Sequence, residues 1–299
     1  MRRLLSMLVV IWLTATIVFF ALHILPGDAI STQLIQSSAS RAEIAQMRDQ
    51  MGLDAPITTQ YLKFITNLLH GDLGHSLLSG QSVTEMISQL FQPTLILALG
   101  AMLVATTIGI ALGVIGAFDI PLSTIARFVI NLSLSTPIYW TGTLAIGVFS
   151  TKLGWFPATG TGSLNSLILP VSVLGFHTMG GIARVVQVNV RDVRQAAFIQ
   201  VARSKGLTER YIAFRHTLRV GLLPVVTVIA LQMGFLLGGT VITESLFVRS
   251  GIGTLLLNST KRQDYPVVQG IVIMSAVIYI SMNTLADIVY RLVDPRVAA

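Results

Sequence analysis

The residues able to do chemistry in this chain are few, and their spacing excludes most of it. The five histidines, His23, His70, His75, His177 and His216, are scattered. None lies in an H-E-x-x-H arrangement or has a carboxylate at ligand spacing, so neither a catalytic residue nor a metal site is expected. There is no cysteine, which removes disulfides, thiolate metal sites and a cysteine nucleophile. A G-x-x-x-x-G-K-[ST] phosphate loop is also absent. The chain therefore binds no ATP by that route, and if it pumps, the energy arrives from another polypeptide.

Four residues stand out as candidates for a gate or pathway: Pro137, His177, Gln232 and Glu244. Of the histidines, only His177 is expected at membrane depth, where an ionisable group is a functional candidate by default. A bond to a neighbouring helix is its plainer role. Glu244 ends an apolar stretch near the outer face, where exposure to water accounts for it more simply than gating. Asp287 and Arg291, four apart, read as a local ion pair.

The elements that must position these residues are membrane spans. The 299 residues are 53% hydrophobic and 11% charged, against about a quarter charged in a soluble domain. Apolar stretches cover Leu4–Leu25 and about 93–118, 125–150, 165–186, 220–243 and 266–290, which predicts six transmembrane helices in an all-α integral membrane protein. Six spans with their loops leave no room in this sequence for a soluble catalytic domain. Met1-Arg2-Arg3 before the first stretch resembles a signal-peptide n-region, but the apolar run is too long and His23-Ile24-Leu25-Pro26 offers no small-residue cleavage site. It reads as a retained span.

Orientation follows from lysine and arginine beside the span ends. Arg184, Arg191, Arg194, Arg203, Lys205, Arg210, Arg215 and Arg219 crowd the loop between spans four and five, against Asp192 and Glu209. That loop is expected in the cytoplasm. Arg2, Arg3, Arg127, Arg291 and Arg296 fall on the same side, so both termini are expected to be cytoplasmic. The net charge of +7 then suits anionic lipid better than nucleic acid.

Residues 26–90 form the first external segment. Tyr61, Phe64, Ile65, Leu68 and Leu69 recur at helical spacing, giving a helix with one apolar face that lies on the membrane or on other spans, ended by Gly71-Asp72-Leu73-Gly74. A shorter helix is expected over Ser40–Met51, stopped at Gly52 and Pro56. Together they predict a small helical cap without a core of its own. Within the spans, Gly109, Gly113 and Gly116, and likewise Gly234 and Gly238, form small-residue faces that let helices approach closely. Pro137 and Pro170 are expected to kink or break their helices. Plain helix packing is the simpler account of these features; lining a transport path is the sharper one.

The cytoplasmic loop, about 187–219, carries the most information. From Val190 to Ser204 the sequence suits a helix ending near Gly206, a residue fitted to a left-handed cap, and Thr208 opens a second helix. Two short helices joined by a tight turn make a protruding hairpin. A loop that merely fixes topology would explain the arginines but not the Gly206-Leu207-Thr208-Glu209 turn or the apolar Phe198, Ile199 and Val201. Docking to a soluble partner explains both.

Ala202-Arg203-Ser204-Lys205-Gly206-Leu207, followed by Arg215-His216 and Leu223-Pro224, resembles the coupling loop of binding-protein-dependent ABC importer permeases. More specifically, the chain is similar to the first permease of dipeptide, oligopeptide and nickel systems. The supporting segments are His23-Ile24-Leu25-Pro26-Gly27-Asp28, Met51-Gly52-Leu53-Asp54 with Pro56 and Gln60-Tyr61, Gly71-Asp72-Leu73-Gly74 with Ser76, Glu244-Ser245-Leu246-Phe247 with Gly251-Ile252-Gly253, and Asp294-Pro295-Arg296. They run nearly the whole length of the chain. The family usually has an acidic residue four to six positions before the turn, where this sequence has Gln195-Ala196-Ala197-Phe198. That departure bears on one charged contact with the ATPase, not on the presence of the loop.

The resemblance implies a division into a first helix (1–25), an external cap (26–90) and a five-helix permease core (91–299). It also implies partners: a second homologous permease, two ATP-binding subunits that carry ATP and Mg²⁺, and an external solute-binding protein. Phe198, Ala202, Arg203, Ser204, Lys205, Gly206, Leu207 and Glu209 would form the surface offered to an ATPase. Permeases of this appearance handle peptides, nickel chelates, glutathione and other small solutes. A passive channel or membrane scaffold is the rival class, and the hairpin counts against it; an intramembrane enzyme lacks a catalytic set.

Overall fold

Apolar sequence wants helix wherever the backbone must satisfy itself in lipid, and every regular element among the described residues is helical. The computed structural model describes residues 2–24, 46, 48, 52, 54–160, 163–238 and 240–293. The helix expected over Ser40–Met51 lies almost wholly outside them, as do the side chain of Arg291 and the Asp294-Pro295-Arg296 segment.

The elements are α1 (Arg2–Ile24), α2 (Ile57–Leu69), α3 (Val83–Ala117), α4 (Leu122–Ser135), α5 (Ile138–Ala145, continued by a π-helical stretch Ile146–Lys152), α6 (Asn165–Gln195) and α7 (Ala197–Ser204). They are followed by α8 (Glu209–Gly221), α9 (Leu223–Leu237), α10 (Val241–Leu246), α11 (Ile252–Lys261) and α12 (Tyr265–Val293). Among the described residues, four helices, within α1, α3, α6 and α12, are long and apolar enough to cross a membrane. The pair α8 and α9, bent by 45°, makes a fifth if it is one span.

The third expected span is divided. Proline has no N–H and pushes the residue before it out of the helical region, and Thr136 is accordingly extended at φ −89°, ψ 137°. Helix α4 stops at Ser135 and α5 starts at Ile138. Pro170, by contrast, lies inside the continuous α6, and Pro93 inside α3. Helix α3 also begins at Val83, ten residues before its apolar stretch.

Two compact units are formed. The first comprises residues 1–94, 238–241 and 250–280. In it α2 turns its aromatic face to α1: the Tyr61 and Thr16 hydroxyls are 2.8 Å apart, and the Phe19 and Phe64 rings stack with centroids at 5.4 Å. Val83, Ile87, Ile252, Val267 and Ile271 form its buried cluster. The buried Asp264 carboxylate accepts the Ser76 hydroxyl at 2.5 Å and the Leu77 N–H at 3.0 Å, which ties the turn after α2 to the start of α12.

The second unit comprises residues 95–237, 242–249 and 281–299. Its centre is α6. A β-carbon on Gly109 would lie 3.0 Å from the Met179 carbonyl, and one on Gly113 would lie 2.6 Å from that of Ala183, so the small-residue face of α3 is filled by α6. On another side, the Ser133 hydroxyl of α4 donates to the Phe176 carbonyl at 2.6 Å.

Candidate functional site

The basic loop after α6 folds into the expected pair of short helices. Gly206 has φ +77°, the left-handed region that glycine enters without steric cost. Its N–H donates to the Arg203 carbonyl at 2.9 Å, and the Leu207 N–H to the Ala202 carbonyl at 3.3 Å. These two bonds are the Schellman closure of a helix end. The Thr208 hydroxyl then accepts the Tyr211 N–H at 3.4 Å and opens α8.

Burial divides the apolar residues of the hairpin. Ile199 and Ala202 of α7 are buried with Ile212 of α8, and Val193 of α6 packs against them. Phe198, Val201 and Leu207 remain exposed, as does Phe214 at 76%. An inner seam thus holds the two helices together while an outer apolar face is left for something else.

Arg203 donates from Nε to Glu209 at 2.7 Å and from Nη2 at 3.4 Å. This hydrogen bond holds the Glu209 carboxyl below its ordinary pKa and raises that of Arg203. Arg203 is therefore an internal brace across the turn, whereas the exposed Lys205 has no ion-pair partner among the described residues. The Ser204 hydroxyl donates back to the Gln200 carbonyl at 3.1 Å.

The base of the hairpin is fixed by groups that the sequence does not single out. Arg194, at the end of α6, donates to the Ala117 carbonyl at 2.6 Å and lies over the Phe118 ring at 4.5 Å. Arg127 and Gln187 both donate to the Gly116 carbonyl, at 3.0 and 3.3 Å. Cationic donors on the last carbonyls of α3 satisfy groups that a helix end leaves open. Gly221 lets α8 approach α6, since a β-carbon there would be 3.1 Å from the Val190 Cα.

Of the four gate or pathway candidates, three converge on α6. His177 Nε2 lies 2.6 Å from the Thr141 hydroxyl, one turn beyond the break at Pro137. Gln232 of α9 brings its amide nitrogen within 3.0 Å of where a β-carbon of Gly181 would stand, one helical turn after His177. An apolar recess of about 250 Å³ opens beside Thr141, between Phe149, Phe156 and Phe176.

Glu244 is not among them, and it is not exposed to water: 1% of its surface is accessible. Arg249, itself 5% exposed, lies within electrostatic reach of its carboxylate and donates its own N–H to the Glu244 carbonyl at 2.8 Å. The Arg249 guanidinium also donates to the Gly160 carbonyl at 2.9 Å and the Ser166 carbonyl at 3.4 Å. A buried carboxylate is costly without partners, and Arg249 is one cation within reach of it.

Comparison with known proteins agrees with this architecture. Residues 106–299 match the family described as "Binding-protein-dependent transport system inner membrane component", and residues 1–98 match its N-terminal counterpart. The glutathione transport system permease protein GsiC of Escherichia coli K12 is 35% identical over 303 residues, covering 99% of this chain and 97% of its own. The GsiC protein of Salmonella typhi is 35% identical over 300 residues, with the same coverage. Among solved structures, an inward-facing form of the MetNI methionine ABC transporter aligns with TM-score 0.56 at 17% identity, over 70% of this chain and 96% of that one. An amino acid ABC transporter solved with histidines aligns with TM-score 0.52 at 17% identity, over 71% and 94%. At that identity the structures speak for the fold, while the sequence matches carry the assignment: the chain belongs to the family of inner-membrane components of binding-protein-dependent transport systems.

Proposed function

We propose that this chain is the first of two permease subunits of an ATP-driven importer for peptides or a related small solute, and that it forms half of the pathway. Its six spans are the four continuous helices, α9 with the end of α8, and the stretch divided at Pro137. Both termini and the hairpin face the cytoplasm, while the cap and the Glu244–Arg249 region face outward. The assembly contains a second, homologous permease, two ATP-binding subunits holding ATP and Mg²⁺, and an external solute-binding protein.

The observation that carries this reading is the hairpin. A Schellman turn at Gly206 and an inner seam of Ile199, Ala202 and Ile212 make it rigid, while Phe198, Val201 and Leu207 stay exposed beside Lys205. A rigid projection with an apolar face transmits motion in a way a loose basic loop does not. Closure of the ATPases on ATP moves the hairpin and switches access between the two sides, each state being favoured by its own ligand. Relatives similar along their whole length are named for glutathione transport, which supports a short peptide as the solute.

The test is co-purification of the chain with its partner subunits, followed by ATP hydrolysis in liposomes. Solute with its binding protein should stimulate hydrolysis in the complete complex. Hydrolysis by the isolated chain, or a hairpin cysteine at Ser204 that an impermeant reagent labels in intact cells, would overturn the reading.

A further inference from the structure

The first unit holds a cavity of about 610 Å³, and the described residues that line it come from α1, the segment before α2, α2, the turn after α2 and α12, all of this unit. That volume falls in the roughly 300–1,000 Å³ range of small-molecule sites. Neither the hairpin nor the candidate pathway residues touch it.

Part of its polar lining is already engaged. His23 bonds the Phe19 carbonyl through Nδ1 at 2.7 Å and the Gln60 amide oxygen through Nε2 at 3.2 Å. The Gln60 amide donates to the Ala55 carbonyl at 2.9 Å, and Asp72 accepts the Gly74 N–H at 2.8 Å. These bonds shape the wall and leave little capacity for a ligand.

Four other side chains on the wall are different. Lys63, Asn67, His75 and Gln269 have no side-chain hydrogen bond or ion pair among the described residues. For the exposed Lys63 and His75 water suffices. Gln269 is only 6% exposed, and its amide, which makes no side-chain hydrogen bond among the described residues, keeps two donors and an oxygen acceptor within reach of solvent. Its place in the lining turns that unmet capacity toward the cavity.

The chemistry of the open groups defines the ligand. Among the described residues of the wall, one ammonium and two primary amides supply a cationic donor and a set of neutral donors and acceptors, against one carboxylate, Asp72, whose Oδ1 is already in use. Such a wall favours an anion that also carries amide groups. Phe19, Phe64 and Tyr265 add aromatic surface. We infer that this cavity is a solute-capture site for a short peptide bearing a free carboxylate, with Lys63 on the carboxylate and Asn67 and Gln269 on peptide groups. This inference rests on the importer reading and deepens it: it assigns to the permease itself a contact with solute on the side where the binding protein delivers it.

The test uses the complete permease and ATPase complex in nanodiscs, without binding protein and without ATP, and measures binding of glutathione and of Ala-Ala by calorimetry. Saturable binding is expected, with Ala-Ala amide binding more weakly than Ala-Ala. Lys63→Gln should lower affinity for the free acid by roughly tenfold and abolish the difference between acid and amide; Gln269→Leu should weaken both. ATPase co-purification monitors assembly of the variants, and the comparison of acid with amide on the unmodified complex needs no variant at all. Equal binding of acid and amide overturns the inference, as does the absence of saturable binding in a complex that still couples ATP hydrolysis to binding protein. Variants that bind peptide normally but lose affinity for the binding protein would make the cavity a protein-docking surface and also overturn it. Loss of ATPase association in the unmodified complex would instead overturn the importer reading itself.

Discussion

Arg203 clasps Glu209 across the hairpin turn through two hydrogen bonds, at 2.7 and 3.4 Å, so the most conspicuous charge of the loop is spent inside it. A docking charge and a brace respond differently to reversal. Arg203→Glu places two carboxylates across the turn and should reduce solute-stimulated ATP hydrolysis roughly two- to fivefold, whereas Arg203→Glu combined with Glu209→Arg should recover most of it. If the double reversal is as impaired as the single change, Arg203 acts on the ATPase directly. Lys205→Glu has no internal partner to rescue it and should weaken association in a salt-dependent manner.

The same pair sets a pH expectation. Arg203 depresses the Glu209 carboxyl, so its contribution is complete above the ordinary glutamate value of about 4.3 and fades only as pH falls through the lower value in the folded hairpin. Coupling should therefore show no loss from this clasp between about pH 8 and 6. Glu209→Gln removes the carboxylate and should lower coupling at every pH in that range by the same factor.

At Gly206 the obstacle to substitution is conformational. A β-carbon there would meet nothing within 4 Å, yet φ is +77°. Asparagine tolerates that region, alanine costs about 1 kcal/mol and a β-branched residue more. Stimulated hydrolysis should fall in the order Gly, Asn, Ala, Val while membrane insertion stays unchanged. A steric role for the position would instead rank the variants by volume.

Gly113 presents the opposite case, an ordinary backbone under severe crowding. A β-carbon would lie 2.6 Å from both the Ala183 carbonyl and the Val186 Cβ. Gly113→Ala should separate α3 from α6 and cost about 1–3 kcal/mol, lowering the midpoint of thermal unfolding in detergent. Gly147→Ala, at a position with open space, is the matched control and should leave the midpoint unchanged.

These contrasts mark what a sequence reveals. The hairpin was legible because its determinants are local: a glycine, a threonine two residues on, and a helical run before them. The α2 face was legible because its aromatic residues keep helical spacing over several turns. The early start of α3 was hidden, since Thr84, Glu85, Ser88, Gln89 and Gln92 dilute its hydropathy although they sit in regular helix. Pro137 and Pro170 look alike in sequence; only the extended Thr136 shows which one divides a span. Phe198 and Ile199 are adjacent and similarly apolar, and α7 is too short for its periodicity to say which is the seam. Asp264 and Ser76 are 188 residues apart, a pairing no local pattern contains.

Glu244 was misread for the same reason. It is buried beside Arg249, which is itself held by carbonyls at Gly160 and Ser166, more than eighty residues from Arg249. The arrangement yields a specific expectation. Arg249→Met leaves the Glu244 carboxylate buried without its cation and should destabilise the protein by about 3–5 kcal/mol, whereas Glu244→Gln with Arg249→Met removes both charges and should be distinctly milder. Arg249→Lys keeps the charge on a shorter side chain that reaches the two carbonyls bonded by Nη1 less well, so it should fall between the two. Thermal unfolding of the purified chain ranks the variants, and transport in the reconstituted complex shows whether the clamp also matters to the cycle. If the double change is as damaging as Arg249→Met alone, the carbonyl contacts carry the stability and the charge pair does not.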